Sequence, residues 1–337
     1  MFNISHTISD IARLAGVSTA TVSRALNTPE IVQAETRERI MDVIKKTNYV
    51  PNPLAKALST GQSNLVGMLL PTLTNSVFAQ MAEGCQHYFL QHNLNLVVIS
   101  GQSYHEKELD VLKSIDQRQV KGFIISGSAF VDGSFEIIMD NIDVPAVILE
   151  RMPTNCAYSS VYIDDEQGVI DVLKFYLANG HTHIAVVSGE LNFVASQRRL
   201  LAIRNYLADN CLHNVRLSVE AARFADMESG RLALHRLMER ADKPTAIICL
   251  NDIIALGALK GANELGIQVP ADMEIIGFDN IPMTSYSTPA LSTINSPNAE
   301  VGQRAARLLL EHIKNPQKKP EQIILPVELL HRESSRV

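Results

Sequence analysis

Residues 7–27 read TISDIARLAGVSTATVSRALN, and this stretch decides how the front of the chain folds. Thr7 precedes the apolar pattern Ile8, Ile11, Ala12 and Leu14, with Asp10 three positions on. A hydroxyl followed three residues later by a carboxylate is the start signal of a capped helix. Gly16 stops that helix. Ser18 caps a second, Thr19 to Leu26, with Val22, Ala25 and Leu26 facing inward. The tight turn Ala15-Gly16-Val17 between them predicts a helix-turn-helix. A third helix runs from about Ala34 to Thr47, with Ile40, Val43 and Ile44 inward and Gln33 as a poor cap.

In a helix-turn-helix the second helix enters the major groove of DNA, and its N-terminal residues reach base edges. The exposed face here is Thr19, Ala20, Ser23 and Arg24. An arginine can fork onto guanine, the commonest specific contact. Ser18, Thr21, Ser23 and Asn27 are short donors suited to phosphate oxygens, which fix register without reading sequence. A small helical bundle with a polar surface would carry the same pattern. Downstream, residues 49–59 read YVPNPLAKALS. The prolines break the third helix, Asn52 is a good N-cap and Pro53 fits the first helical position. The helix from Pro53 to Ser59 spans under two turns and is marginal in isolation. It reads equally as a plain linker or as a hinge helix that forms against a twofold mate and DNA. In the second case Leu58 is a minor-groove wedge that unstacks a base step.

From residue 62 onward short apolar runs alternate with amphipathic helices. Strands are expected at Leu65–Leu70, Leu94–Ser100, Gly122–Ser126, Ala146–Leu149, Ile184–Ser188, Ala246–Leu250, Glu274–Phe278 and Ile323–Leu330. Helices fall between them at Val77–Gln91, Glu106–Gln117, Glu166–Asn179, Ser196–Asn210, Glu228–Arg240 and Asp252–Leu265. Such alternation implies parallel sheets covered on both faces by helices. The pattern pauses at Pro153–Ser160 and restarts, predicting two similar α/β lobes, with segments near Ser292 and Pro320 crossing between them. Ligands in such folds lie beyond the carboxyl ends of the strands. Polar residues collect there: Thr72 to Asn75, Glu150, Asn251-Asp252 and Asp279-Asn280, with Arg199 in the first turn of a helix. Carboxylates and amides at that end suit the hydroxyls of a polar ligand, and an arginine fork suits a diol or acid group. Asn251, Asp252 and Asp279 could equally cap the next helix.

The ordered combination of residues 7–27, Tyr49-Val-Pro-Asn52 and Ala55-x-x-Leu58 resembles the lactose- and galactose-repressor (LacI/GalR) family. So do Pro71-x-x-Thr-Asn-x-x-Phe78, Asn251-Asp-x-x-Ala-Leu-Gly257 and Ile276-Gly-Phe-Asp-Asn280, so the resemblance covers essentially the whole chain. It implies an all-α DNA-binding domain over residues 1–50, a hinge helix over 51–61, and a periplasmic-binding-protein-like core over 62–337. The expected N-lobe is about 62–160 with 292–320, and the C-lobe about 161–291 with 321–337. By position it implies Thr19, Ala20 and Arg24 as base readers and Ala55 and Leu58 in the minor groove. It likewise implies Asn75, Phe78, Glu150, Arg199, Asn251 and Asp279 around an effector. Ala20 lacks a hydrogen-bonding group and can only touch a thymine methyl. Glu150 stands where aspartate is common and lengthens the reach; Ala202 replaces a common glycine, and Ser76-Val77 replaces a bulkier entrance. The implied function is a repressor that binds a palindromic operator as a homodimer under control of a sugar or sugar acid. No leucine heptads follow the last strand, so a dimer without an added tetramer-forming helix is expected.

Composition bounds these readings. Lys+Arg 30 against Asp+Glu 36 gives a net charge of −6, which by itself opposes a nucleic-acid partner. The charge is uneven: residues 1–60 hold seven basic and five acidic side chains (+2), and the remainder 23 and 31 (−8). Such asymmetry suits a small basic module on an acidic body. The N-terminus lacks the basic and apolar regions of a signal peptide, and no apolar run is long enough to span a bilayer. The four cysteines are scattered without a CxxC pair, so a reducing cytoplasm is expected. Phosphate-loop, dinucleotide, zinc-protease and serine-elbow motifs are all missing, so neither an enzyme nor a cofactor is expected. His181 and His183 flank Thr182 at a spacing that can bind metal, though histidines at a strand entrance are more often satisfied within the protein.

Overall fold

The computed structural model describes residues 6–49, 64–100, 119–127, 135, 139–150, 157–189, 193–223 and 226–336. The chain divides into two units, Met1–Ser63 and Asn64–Val337. In the first, Thr7 and Asp10 form the reciprocal capping box that opens α1 (Ile8–Ala15). Gly16 closes it in the left-handed conformation, φ 65°, that an L side chain adopts only at a cost. Ser18 caps α2 (Thr19–Asn27) by accepting the Thr21 amide. After a short turn at Pro29–Ile31, α3 (Ala34–Thr47) begins without a side-chain cap at Gln33. Ile11, Ala12, Ala15, Val22, Ala25 and Ile40 form the miniature core. Leu14, part of the apolar pattern, is 54% exposed because Ala15 takes the inward position on that turn.

The second unit holds two six-stranded sheets. The first contains β1 (Leu65–Leu70), β2 (Asn95–Ser100), β3 (Phe123–Ser126), β4 (Ala146–Leu149) and β5 (Ser159–Ile163). The second contains β6 (His183–Ser188), β7 (Arg216–Ala221), β8 (Ala246–Cys249), β9 (Glu274–Asp279) and β10 (Ser292–Asn295). Near the C-terminus β11 (Gln322–Leu325) returns to the first sheet beside β5, and β12 (Glu328–Leu330) pairs antiparallel with β10. The orders are β11-β5-β4-β3-β1-β2 and β12-β10-β9-β8-β6-β7. All pairs but β10–β12 are parallel, which requires helical crossovers and explains the continuous apolar runs such as Leu65–Leu70. In each sheet the chain steps from its first strand to one edge and then back to the other side, so a switch point lies at the ends of β1 and β6.

Six helices among the described residues cover the sheets: α4 (Ser76–Leu90), α5 (Asp165–Ala178), α6 (Val194–Asp209), α7 (Met227–Met238), α8 (Asp252–Glu264) and α9 (Asn298–Lys314). α9 packs on α4 and across β3–β5. Its Gly302 sits against the Met81 carbonyl of α4, and Gly84 of α4 sits against the Ala299 carbonyl of α9. No Cβ fits at either point, so the two backbones touch.

The lobe limits need correction. Ser292–Asn295 lies in the second sheet, and residues 161–163 and 322–325 lie in the first. The expected single strand Ile323–Leu330 is two strands, because Pro326 breaks it and sends each half to a different sheet. The chain therefore passes between the lobes after β5, after β10 and between β11 and β12. Glu106–Gln117 lies outside the described residues.

Candidate functional site

On α2, Val22 and Ala25 turn into the core, which leaves Thr19, Ala20 and Arg24 exposed on the opposite side. Thr21 and Ser23 are half-buried. Ser18 is exposed, but its hydroxyl accepts the Thr21 amide at 3.1 Å and bonds the Thr21 hydroxyl at 2.8 Å. One of those two hydroxyl protons is thereby consumed, leaving one for an outside acceptor. Asn27 ends the helix, and its side chain is outside the described set. Ala55 and Leu58 lie outside the described residues.

Between the lobes, a cleft enclosing about 380 Å³ of space open to solvent is lined by residues of both sheets. Glu150 reaches it from the end of β4, at φ 62°, and accepts the Ser126 hydroxyl at 2.5 Å. Asp279 reaches it from the end of β9 at φ 111°. Arg199 reaches it from the first turns of α6, buried. Its guanidinium lies 3.5 Å over the Phe278 ring and donates Nη1 to the Leu250 carbonyl at 2.5 Å. Its remaining nitrogens stand 3.8 Å from Asp279 Oδ1 and 3.5 Å from Asp165 Oδ2. The ring and the carbonyl hold the arginine, while both acids sit just beyond hydrogen-bond length.

Burial pushes the Asp279 carboxyl up to about 7, opposed by Arg199 and helped by Glu150 and Asp165. Burial also raises Asp165, against Arg199 and Arg198. Three carboxylates thus face two arginines, Arg198 and Arg199, in one cleft. Such groups offer acceptors for hydroxyls at the mouth of an apolar wall made by Val77, Met81 and Val301.

Of the six residues expected around an effector, Glu150, Arg199 and Asp279 line this cleft and the other three do not. Phe78 is packed in the core of the first lobe. Asn75 is buried and caps α4 by accepting the Val77 amide at 3.1 Å. Asn251 is buried and caps α8 through the Ile254 amide at 2.9 Å. Asp252 is fully buried, accepting the Ile281 amide at 2.9 Å and the Thr293 hydroxyl at 2.6 Å, so it fastens the segment after β9 and β10 to α8. Asp165, Arg198, Tyr162 and Asn298 line the cleft without having been expected there. Asp164-Asp165-Glu166 signals a helix start, which hides Asp165 as a cleft residue. The histidine pair has protein partners: His181 bonds Thr245 at 2.7 Å and Glu274 at 3.0 Å, and His183 bonds Ser218 at 2.8 Å. No group of three metal-ligating side chains occurs among the described residues. No described helix is long and apolar enough to cross a membrane.

Comparison with known proteins bears on both units. Residues 7–52 match the family described as "Bacterial regulatory proteins, lacI family", and residues 173–335 match "Periplasmic binding protein-like domain". The HTH-type transcriptional repressor PurR of Vibrio vulnificus (strain CMCP6) is 30% identical over 330 residues, covering 97% of this chain and 98% of that protein. The lac repressor dimer bound to operator and the anti-inducer ONPF superposes with a TM-score of 0.87 at 27% identity, covering 99% and 100% of the two chains. A LacI family regulator from Enterococcus faecium with bound ribose gives 0.70 at 29% identity, covering 80% and 98%. With a capped helix-turn-helix preceding in sequence a core of two lobes around a polar cleft, and relatives matched over nearly their full length, this chain belongs to the lacI family of bacterial regulatory proteins: it is a DNA-binding transcriptional regulator with a small-molecule effector domain, not an enzyme.

Proposed function

We propose that the chain acts in the cytoplasm as a homodimer that represses by binding a palindromic operator, one α2 on each half-site. Residues 1–50 serve as the reading domain, 51–61 as the hinge and 62–337 as the effector core. Arg24, with Thr19 and Ala20, reads bases; Ser18, Thr21, Ser23 and Asn27 hold phosphates; Ala55 and Leu58 enter the minor groove. Twofold protein symmetry then matches operator symmetry. The effector is a small polar ligand, a sugar or sugar acid, held by Glu150, Arg199 and Asp279, with Asp165 beside them.

The single observation that carries this reading is the meeting of Glu150 from one lobe with Arg199 and Asp279 from the other in one cleft. A ligand bridging them favours one angle between the lobes, and so links its affinity to that for DNA by a coupling of about 1–3 kcal/mol. The solved relatives with an operator and with ribose support the two halves of the proposal separately. A thermal-shift screen against sugars, sugar acids and nucleosides tests it. The expected hit is hydroxyl-rich, raises the melting temperature, and changes operator affinity when the DNA titration is repeated. A hit confined to nucleosides, or one that leaves DNA affinity unchanged, overturns the effector assignment.

A further inference from the structure

We propose that Arg332, near the C-terminus, is a positioning residue for the cleft: it clamps Asn280 and thereby sets the direction in which Asp279 points. The functional weight of this rests on the cleft being the effector site; the geometry stands by itself. At the end of β9 two consecutive non-glycine residues, Asp279 and Asn280, have φ 111° and 53°. Asparagine tolerates the left-handed region, but aspartate at 111° lies outside the usual left-handed well. A corner of this kind persists only where its surroundings over-determine it.

The surroundings are asymmetric. The Asp279 side chain is lightly held, its carboxylate standing 3.8 Å from Arg199, while its backbone ends β9 beside Asn295 of β10 and its carbonyl accepts a 3.4 Å bond from Asn298. Asn280 is held from several sides. Arg332 Nη2 donates to its Oδ1 at 2.8 Å, its Nδ2 donates to Asn295 at 2.9 Å, and its amide donates to the Thr293 hydroxyl at 3.3 Å. The other arm of the Arg332 fork donates to the Leu291 carbonyl at 2.7 Å and the Thr284 hydroxyl at 2.9 Å. One guanidinium thus ties both ends of the segment 280–291.

The stem that presents it is anchored too. The Arg332 amide donates to Ser292 Oγ at 2.8 Å, and two residues on Ser334 donates its amide to the Ala290 carbonyl and accepts the Ile275 amide, both 3.0 Å. A lysine cannot reproduce this fork, because a single ammonium does not reach three acceptors in one plane. The aim of Asp279 therefore follows from a backbone corner set by Arg332 rather than from its own contacts.

The test uses the full chain and needs no effector, so a failed ligand screen and a failed clamp are told apart. The Asp279 carboxyl is titrated by infrared difference against Asp279→Asn in wild type, Arg332→Lys, Arg332→Gln and Asn280→Gly, each first shown to be folded by its urea transition. Arg199, Glu150, Asp165 and Asp252 face this group and are unchanged throughout. Burial pushes this carboxyl up to about 7, and the wild-type midpoint is expected there. Once the corner loosens the carboxyl turns toward water, and the midpoint falls toward about 4 in all three variants. Asn280→Gly accepts the left-handed backbone freely but offers Arg332 no acceptor, and it keeps the bonds to Leu291 and Thr284. It decides the matter even where Arg332→Gln does not fold. A midpoint that stays at about 7 in folded Asn280→Gly overturns the proposal and leaves Arg332 an anchor of the C-terminal segment.

Discussion

Replacing Asp279 by asparagine should make the protein more stable at pH 8 and leave it nearly unchanged at pH 4. The folded carboxyl titrates at about 7, against an ordinary value of 3.8, because it is buried beside Glu150 and Asp165. Between those two values the folded state keeps a proton that the unfolded state has lost. Folding therefore loses stability as pH rises through this window, and the loss is complete above 7. About three pH units at about 1.36 kcal/mol each give a cost near 4 kcal/mol, an upper figure for a group that remains 7% exposed. Asparagine cannot ionise, so the cost vanishes in the variant. Urea unfolding of both proteins at pH 4, 5, 6, 7 and 8 reads the difference. Asp252 is pushed up by burial and then by Asp279 itself, so losing that second push in the variant adds to the difference in the same direction. A stability difference that is flat across pH, or one that favours wild type at pH 8, refutes the account of the cleft as a store of unfavourable charge. The same variant should lose its response to effector while keeping basal DNA binding.

Arg24→Ala should lower specific operator affinity by about 1–3 kcal/mol and relax selectivity at one base pair; equal loss on all sequences in a binding assay makes Arg24 a phosphate contact instead. Asn251→Ala should lower stability by about 0.5–2 kcal/mol, the cost of an N-cap, while effector affinity measured calorimetrically stays as in wild type. A selective loss of effector binding there would restore Asn251 to the site. Gly302→Ala should cost about 1–3 kcal/mol or more in thermal unfolding, because the new Cβ would meet the Met81 carbonyl at 1.9 Å and α4 and α9 must part.

Much of the fold is legible in the sequence where one physical signal dominates. Leu65–Leu70 and Ala146–Leu149 are buried on both faces and read as unbroken apolar runs. The cap residues Thr7, Ser18 and Gly16 mark helix ends that the structure places at the same positions. The strands that escape are those whose buried positions are polar but paired. In β5, Ser159 meets His312 and the Glu321 amide, and Ser160 meets Gln322. In β10, Ser292 accepts the Arg332 amide and Thr293 donates to Asp252. No apolar count finds such strands, because their burial is balanced by partners far along the chain. α9 does carry the helical period, at Val301, Ala305, Leu308 and Leu309, and treating its span only as a crossing loses it. The cleft was half legible. Glu150 and Asp279 follow strands, where position alone suggests a ligand, whereas Asn75 and Asn251 look the same in sequence and are occupied as caps.

The late return of β11 to the first sheet has a consequence for synthesis. The lobe that begins at residue 64 is finished only when Gln322–Leu325 is added beside β5 and α9 covers β3–β5. The other lobe waits for β12 at Glu328–Leu330. On the ribosome neither sheet is complete before residues 322–330 emerge, so the two lobes mature together rather than in succession. A chain cut short by twenty residues would leave two open sheet edges in place of one folded lobe and one missing one, and open edges recruit other strands.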